Sequence, residues 1–200
     1  MSNPKFFQAA GLFLKEDFFS PAQCDAIQDE MTSSQQRDAA VARPGVEGLV
    51  VDPYTRKTRT AKISKDTKMK VHDALAGLLP TLSAHFNVTL TGIQPINYLV
   101  YREGDFFKRH ADVSQSVDRN EAKRKVSIVV FLNSQSEAPA DGTYAGGALV
   151  FYELQAPPFD KLAHPLAGKR GTLVAFRSGV FHEVLPVTRG TRYTVVSWCE

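Results

Sequence analysis

Two hydrophobic rhythms divide the chain. Up to about residue 88 the apolar positions recur with helical spacing. Ser20-Pro21-Ala22-Gln23 opens the first helix: Ser20 suits an N-cap, Pro21 fits the first turn, and apolar positions continue to Met31. Residues 33 to 48 turn polar and irregular. A second helix is predicted over about Lys65 to Phe86, where Met69, Val71, Leu75, Leu78 and Leu79 supply an apolar stripe. Pro80 is placed to kink it or divide it in two.

From Thr89 onward the period shortens. Segments rich in Val, Ile, Phe, Tyr and Thr alternate with Gly, Pro, Asn and Asp punctuation. Strands are predicted at Gln94–Tyr101, Phe106–Asp112, Val126–Leu132, Gly147–Glu153, Gly171–Phe176, Glu183–Val187 and Arg192–Cys199. Their spacing suits an antiparallel barrel or sandwich with the helices packed outside it. The expectation is one mainly β domain over 1–200, with a helical part at 1–88 and a β core at 89–200. Two loops stand out, the charged Val113–Lys123 and the small, polar Ser134–Ala145. Each reads as a solvated surface loop or as a lid over a site.

Bulk properties narrow the function classes. A hydrophobic fraction of 43%, a charged fraction of 22% and a net charge of +3 describe an ordinary globular chain. The basic residues are dispersed rather than gathered on one periodic face, which argues against a nucleic-acid partner. The first residues lack a secretory layout and no apolar run reaches membrane-spanning length, so a cytoplasmic protein with no membrane partner is expected. Cys24 and Cys199 stand far apart, which suggests neither a disulfide framework nor a thiolate metal cluster.

The candidate chemistry lies in the β half. His110-Ala111-Asp112 ends a predicted strand, where residues two apart point to one face. An imidazole and a carboxylate so placed can hold neighbouring positions on one metal. His182 is the candidate third ligand, because two His and one carboxylate form the facial triad of non-haem Fe(II) oxygenases. Arg192 follows ten residues later, and alternation puts it on one face with Thr194, Val196 and Trp198. Turned inward, its guanidinium needs an anionic partner, and a dicarboxylate ligand could supply one. His72, His85 and His164 read as structural residues. Each member of the set is weak alone; order, spacing and strand context make the combination specific.

With these residues in place, the chain resembles the 2-oxoglutarate-dependent oxygenases of the prolyl 4-hydroxylase type, over about Gln94 to Trp198. Tyr101-Arg102-Glu103-Gly104, Phe107 and His110-Ala111-Asp112 are similar to the family's Tyr-x-x-Gly…His-x-Asp stretch. Val126–Asn133 resembles its next core strand, and Gly146-Gly147-Ala148-Leu149-Val150-Phe151 its Gly-Gly strand. Phe181-His182-Glu183-Val184 with Pro186–Arg192 resembles its distal-His and basic-residue segment.

The resemblance implies a double-stranded β-helix (jelly-roll, cupin-like) core with N-terminal helices outside, and His182 and Arg192 on opposing sheets. It implies that His110, Asp112 and His182 bind Fe(II), and that Arg192 and Tyr101 hold the distal carboxylate of 2-oxoglutarate. Ser127 stands near the cosubstrate where the family often has Thr, and Trp198 lines the iron pocket. Phe131 replaces the common Tyr and so removes a hydroxyl, while many members carry Lys at the position of Arg192. Tyr54–Thr60 stands where related enzymes carry a substrate-side Arg/Ser segment, which makes Arg59 a substrate-pocket candidate beside Trp198 and Phe131. Read as residues alone, that segment is a solvated basic loop.

The implied reaction is hydroxylation of a C–H bond with Fe(II), 2-oxoglutarate and O₂, with ascorbate a candidate for keeping the iron reduced. Asp112 leaves no ligand position vacant for halide, which favours hydroxylation over halogenation. Three readings stay open: a hydroxylase of a prolyl or other residue in a peptide or protein, a hydroxylase of a free amino acid or small intermediate, and a jelly-roll metal-binding or sensing module without turnover. Arg192 argues against the third, since a plain metal site needs no carboxylate clamp. The sequence leaves oligomeric state open.

Overall fold

The computed structural model describes residues 4–42, 48–113 and 120–200. The helices are α1 (Pro4–Ala9), α2 (Pro21–Ser33), α3 (Lys65–Ala76) and α4 (Leu79–Phe86). Ser20 caps α2 through a reciprocal box: its hydroxyl accepts from the Gln23 amide at 3.3 Å, and its own amide donates to Gln23 Oε1 at 2.9 Å. The long helix predicted over 65–86 is divided at Gly77-Leu78, and Pro80 stands in the first turn of α4. The buried stripe across this break is Val71, Leu75, Leu82 and Phe86, spaced by helical turns. Met69 lies off that stripe, 55% exposed, contrary to the sequence reading.

The first 88 residues are not only helical. They also hold β1 (Phe13–Lys15), β2 (Gln36–Asp38), β3 (Val41–Ala42), β4 (Leu49–Val50), β5 (Arg56–Lys57) and β6 (Arg59–Ala61). These strands are two or three residues long, too short to display a period in the sequence. Later come β7 (Asn97–Tyr101), β8 (Phe106–His110), β9 (Val126–Phe131), β10 (Tyr144–Gly146), β11 (Leu149–Phe151) and β12 (His164–Leu166). The chain closes with β13 (Leu173–Arg177), β14 (His182–Val184), β15 (Val187–Gly190) and β16 (Arg192–Cys199). The stretch predicted as Gly147–Glu153 shortens to β11, with left-handed backbone at Gly147 and Glu153 on either side of it, and Glu183–Val187 divides between β14 and β15.

Among the described residues, one sheet has seven strands in the order β1-β13-β9-β16-β7-β6-β2, and the facing one has five, β12-β11-β14-β8-β5. Their ladders are antiparallel. The arrangement is the mainly β jelly roll that the resemblance implies, and β14 and β16, carrying His182 and Arg192, sit in opposing sheets.

Alternation gives the larger sheet two buried faces. Ile128, Val130, Leu173, Ala175, Val195 and Cys199 pack outward against Ile27, Met31, Leu75, Leu82 and Phe86 of the helices. Val129, Phe131, Val174, Phe176, Leu99 and Tyr101 point inward against Leu149, Phe151 and Val184 of the smaller sheet. Every residue of β9 is buried, which is why its sequence reads as a continuous apolar run rather than an alternating one. The interior between the sheets is where the candidate chemistry collects.

Candidate metal and anion site

The site is built first on the pairing of β8 with β14. His182 stands opposite His110, but Val184 stands opposite Phe107, so four residues of β8 (107–110) span three of β14 (182–184). This bulge turns both Phe107 and His110 inward, although strict alternation would send residues three apart to opposite faces. The Phe107 ring consequently stacks on His110, centroids 3.6 Å apart and planes 20° from parallel.

Each imidazole is held in the same way. His110 Nδ1 lies 2.8 Å from the Lys108 carbonyl and His182 Nδ1 lies 2.9 Å from the Val180 carbonyl. A proton on each Nδ1 satisfies those acceptors and leaves the Nε2 lone pair free for a metal. Both Nε2 atoms face one carboxylate: Asp112 Oδ1 is 3.5 Å from His110, and Oδ2 is 3.6 Å from His182. Potential donor atoms of the three side chains lie within 4.8 Å of one another, close enough to share one ion.

Neighbours hold the charge pattern. Burial alone would raise the Asp112 carboxyl, but His182, His110 and Ser127 outweigh it and keep the group well below the ordinary carboxylate range. Burial and the nearby His110 push His182 down to about 4, against the pull of Asp112. At neutral pH the result is an ionised carboxylate beside a neutral imidazole, the protonation states a divalent cation requires.

Deeper in the same interior lies Arg192, 1% exposed. Its guanidinium lies over the rings of Tyr101 and Phe131, 5.0 and 5.3 Å from their centroids. One Nη meets Thr194 Oγ1 at 3.4 Å, while Nε has no hydrogen-bond partner among the described residues. No carboxylate among the described residues pairs with it. A buried cation without a counter-charge costs several kcal/mol, on the order of the desolvation penalty of one ion, and an entering anion would relieve it. That deficit fits the distal carboxylate of 2-oxoglutarate. Phe131 and Tyr101, which touch Arg192, belong to the same buried cluster as Phe176 and Phe151, which flank His182 at 4.7 and 6.3 Å.

The other sequence candidates distribute unevenly. Tyr101 stands directly opposite Arg192 across β7 and β16. Ser127 is buried on β9, 3.0 Å from Ser178 Oγ, and Ser178 in turn accepts the Asp112 amide on its carbonyl at 2.9 Å. Trp198 stands opposite Ser127, with its Nε1 buried and without a hydrogen-bond partner among the described residues. Arg59 is not brought to the site. It pairs with Val100, so it shares the outward face, and its guanidinium binds Asp105 at 3.2 Å. Arg59–Ala61 is a strand of only three residues, too short for the sequence to show which face its arginine takes. Arg56 is the one that approaches, 4.7 Å over the Phe107 ring.

Arg124 was also not singled out by the sequence. It covers Trp198 at 3.7 Å and donates to the Asp112 carbonyl at 3.2 Å. Its position between the charged 113–123 loop and the start of β9 concealed it, and residues 114–119 of that loop lie outside the described residues. The three remaining histidines stay apart from the triad: His72 is exposed, His85 meets the Gly11 carbonyl at 3.3 Å, and His164 on β12 packs tilted against the Phe6 ring.

Comparison with known proteins gives the same picture. Residues 96–200 match the model of the 2OG-Fe(II) oxygenase superfamily. A PKHD-type hydroxylase of Xanthomonas campestris pv. campestris is 25% identical over 190 residues, covering 92% of this chain and 76% of that protein. A PKHD-type hydroxylase of Synechococcus sp. is 33% identical over 101 residues, 50% of this chain and 40% of the other. Among solved structures, a Pseudomonas putida prolyl-4-hydroxylase superposes with a TM-score of 0.71 at 24% identity, covering 95% of this chain and 92% of that one. A Trichoplax adhaerens prolyl hydroxylase, in complex with a hypoxia inducible factor oxygen degradation domain peptide fragment, gives 0.70 at 19% identity, covering 98% and 86%. At these identities the structural likeness establishes the jelly-roll fold.

Proposed function

The chain belongs to the 2OG-Fe(II) oxygenase superfamily, and from that premise we propose that it hydroxylates a prolyl or other residue of a peptide or protein. His110, Asp112 and His182 would hold the iron, and Arg192 the distal carboxylate of 2-oxoglutarate. Bound there, iron with 2-oxoglutarate and O₂ supplies the oxidising power that converts C–H to C–OH while 2-oxoglutarate becomes succinate and CO₂.

The observation that carries this reading is a buried guanidinium without a counter-ion among the described residues, in the same aromatic interior as three convergent ligand groups. The protein's own contribution is position and charge. The Lys108 and Val180 carbonyls fix both imidazoles, Asp112 stays ionised, and Arg124 steadies the Asp112 backbone. Phe107, Phe151 and Phe176 surround the imidazoles and limit access of water. In this reading Tyr101 hydrogen-bonds the carboxylate that Arg192 binds, Ser127 lies near the cosubstrate, and Trp198 and Phe131 line the pocket. A peptide substrate is supported by the PKHD-type and prolyl hydroxylase relatives. We read the whole chain as one catalytic domain acting in the cytoplasm; no helix among the described residues is long and apolar enough to cross a membrane.

Anaerobic titration of Fe(II) with and without 2-oxoglutarate tests the site. A visible charge-transfer band is expected in the wild type and should be lost or weakened in Arg192→Ala. Absence of the band, or a band indifferent to that substitution, overturns the assignment. A succinate-release screen tests the substrate class: prolyl peptides are expected to stimulate release, and stimulation by free amino acids alone overturns the peptide reading.

A further inference from the structure

The Arg192 Nε is not the only donor at its end of the interior that lacks an acceptor among the described residues. Tyr144, on β10, is 0% exposed; its hydroxyl faces the Arg192 guanidinium and has no hydrogen-bond acceptor among the described residues. Two glycines show how closely the two side chains are gathered. A Cβ on Gly147 would stand 3.1 Å from Arg192 Cδ and 3.2 Å from Tyr144 Cε2, so the arginine stem and the tyrosine ring crowd one bare stretch of backbone. A Cβ on Gly168 would stand 2.2 Å from the Tyr144 hydroxyl and 2.7 Å from Phe131 Cδ1. The hydroxyl therefore lies at the edge of the Phe131 ring, the ring over which the guanidinium is placed.

Burying one hydroxyl without a partner costs about 1–3 kcal/mol. Burying it beside an equally unsatisfied guanidinium Nε is costly twice over, unless a ligand with acceptor oxygens bridges them. Phe131 offers no hydroxyl to such a ligand, so any neutral donor from this wall must come from another strand. Burial raises Tyr144 above the ordinary phenol range and Arg192 only partly offsets this, so the phenol keeps its proton at neutral pH and can donate.

We propose that Tyr144 is a further contact for the distal carboxylate of 2-oxoglutarate, beside Arg192 and Tyr101, its hydroxyl donating to the carboxylate that Arg192 grips, with Gly147 and Gly168 kept bare to admit the pair. The inference rests on the proposed oxygenase reading and adds a cofactor-contacting residue to it.

The test measures 2-oxoglutarate affinity of the anaerobic Fe(II) protein by calorimetry for wild type, Tyr144→Phe, Gly168→Ala and Arg192→Ala. Tyr144→Phe is expected to bind 2-oxoglutarate about ten-fold more weakly, the equivalent of one hydrogen bond to a charged group. Its affinity for 2-oxobutyrate, which keeps the keto-acid end but lacks the distal carboxylate, should equal that of wild type. Gly168→Ala, which displaces the hydroxyl without deleting a polar group, should reproduce the loss. If wild type itself fails to bind 2-oxoglutarate, the oxygenase reading falls. If wild type binds and Arg192→Ala does not, but Tyr144→Phe matches wild type, only the role of Tyr144 falls. An equal loss for 2-oxobutyrate would mark a general disturbance of the pocket and also overturn it.

Discussion

At the scale of single residues, function and stability pull in opposite directions at Arg192. Its guanidinium is buried with one weak hydroxyl contact and no carboxylate among the described residues. Arg192→Met would keep most of the volume and remove the uncompensated charge. The metal-free variant is expected to be more stable than wild type by about 1 kcal/mol or more in urea unfolding, while 2-oxoglutarate no longer raises its Tm. A variant less stable than wild type would show that the protein already satisfies this charge. His182 gives a second expectation, through pH. Its folded-state value of about 4 lies below the ordinary 6.5, so between these values the unfolded chain takes up a proton that the folded one refuses. Stability of the metal-free protein should therefore fall as pH drops from about 6.5 toward 4, by up to the order of 3 kcal/mol. Asp112, depressed rather than raised, adds its loss only below the ordinary carboxyl value of 3.8. Urea unfolding of wild type and His182→Gln across this range checks the slope, which should be shallower in the variant.

At the scale of elements, what the sequence reveals depends on whether a strand keeps its period. β16 does, and the inward set Arg192, Thr194, Val196 and Trp198 follows from parity alone. The His110–Asp112 pair and its meeting with His182 were equally legible. Phe107 was not, because the bulge in β8 breaks parity between it and His110. Nor was Tyr144, which closes a loop of small polar residues and enters a strand only three residues long. The short strands before residue 88 and the outward turn of Arg59 were hidden for the same reason: position in the fold, not local pattern, decides them. The β10–β11 junction tests how much such an element matters. Gly147 has φ +62°, and a Cβ there would meet Val187 Cγ2 at 2.9 Å and Arg192 Cδ at 3.1 Å. Gly147→Ala should cost about 2 kcal/mol from left-handed backbone and crowding together. Because one of the crowded atoms belongs to the Arg192 stem, 2-oxoglutarate affinity should fall as well. Loss of stability with cosubstrate affinity intact would detach the glycine from the site.

At the scale of the whole molecule, the two sheets contribute unlike halves of the site. His110 and His182 come from the five-stranded sheet and Asp112 directly follows it, whereas Arg192, Tyr101, Ser127 and Trp198 come from the seven-stranded one. In the proposed function a metal ion is gripped mainly from one side, and 2-oxoglutarate reaches from that ion to the other side. Neither ligand alone ties the sheets together; both at once do. Mn(II), a redox-stable stand-in that accepts the same nitrogen and oxygen donors, should raise Tm modestly, and 2-oxoglutarate alone should raise it little. Together they should raise it by more than the sum of the two shifts, since a ligand at 100 times its Kd adds about 2.7 kcal/mol and each ligand here tightens the other. Asp112→Asn should abolish the joint effect by removing the charge on which the metal depends. Purely additive shifts in wild type would mean that the two ligands do not meet across the interior, and the guanidinium would then need a different anion.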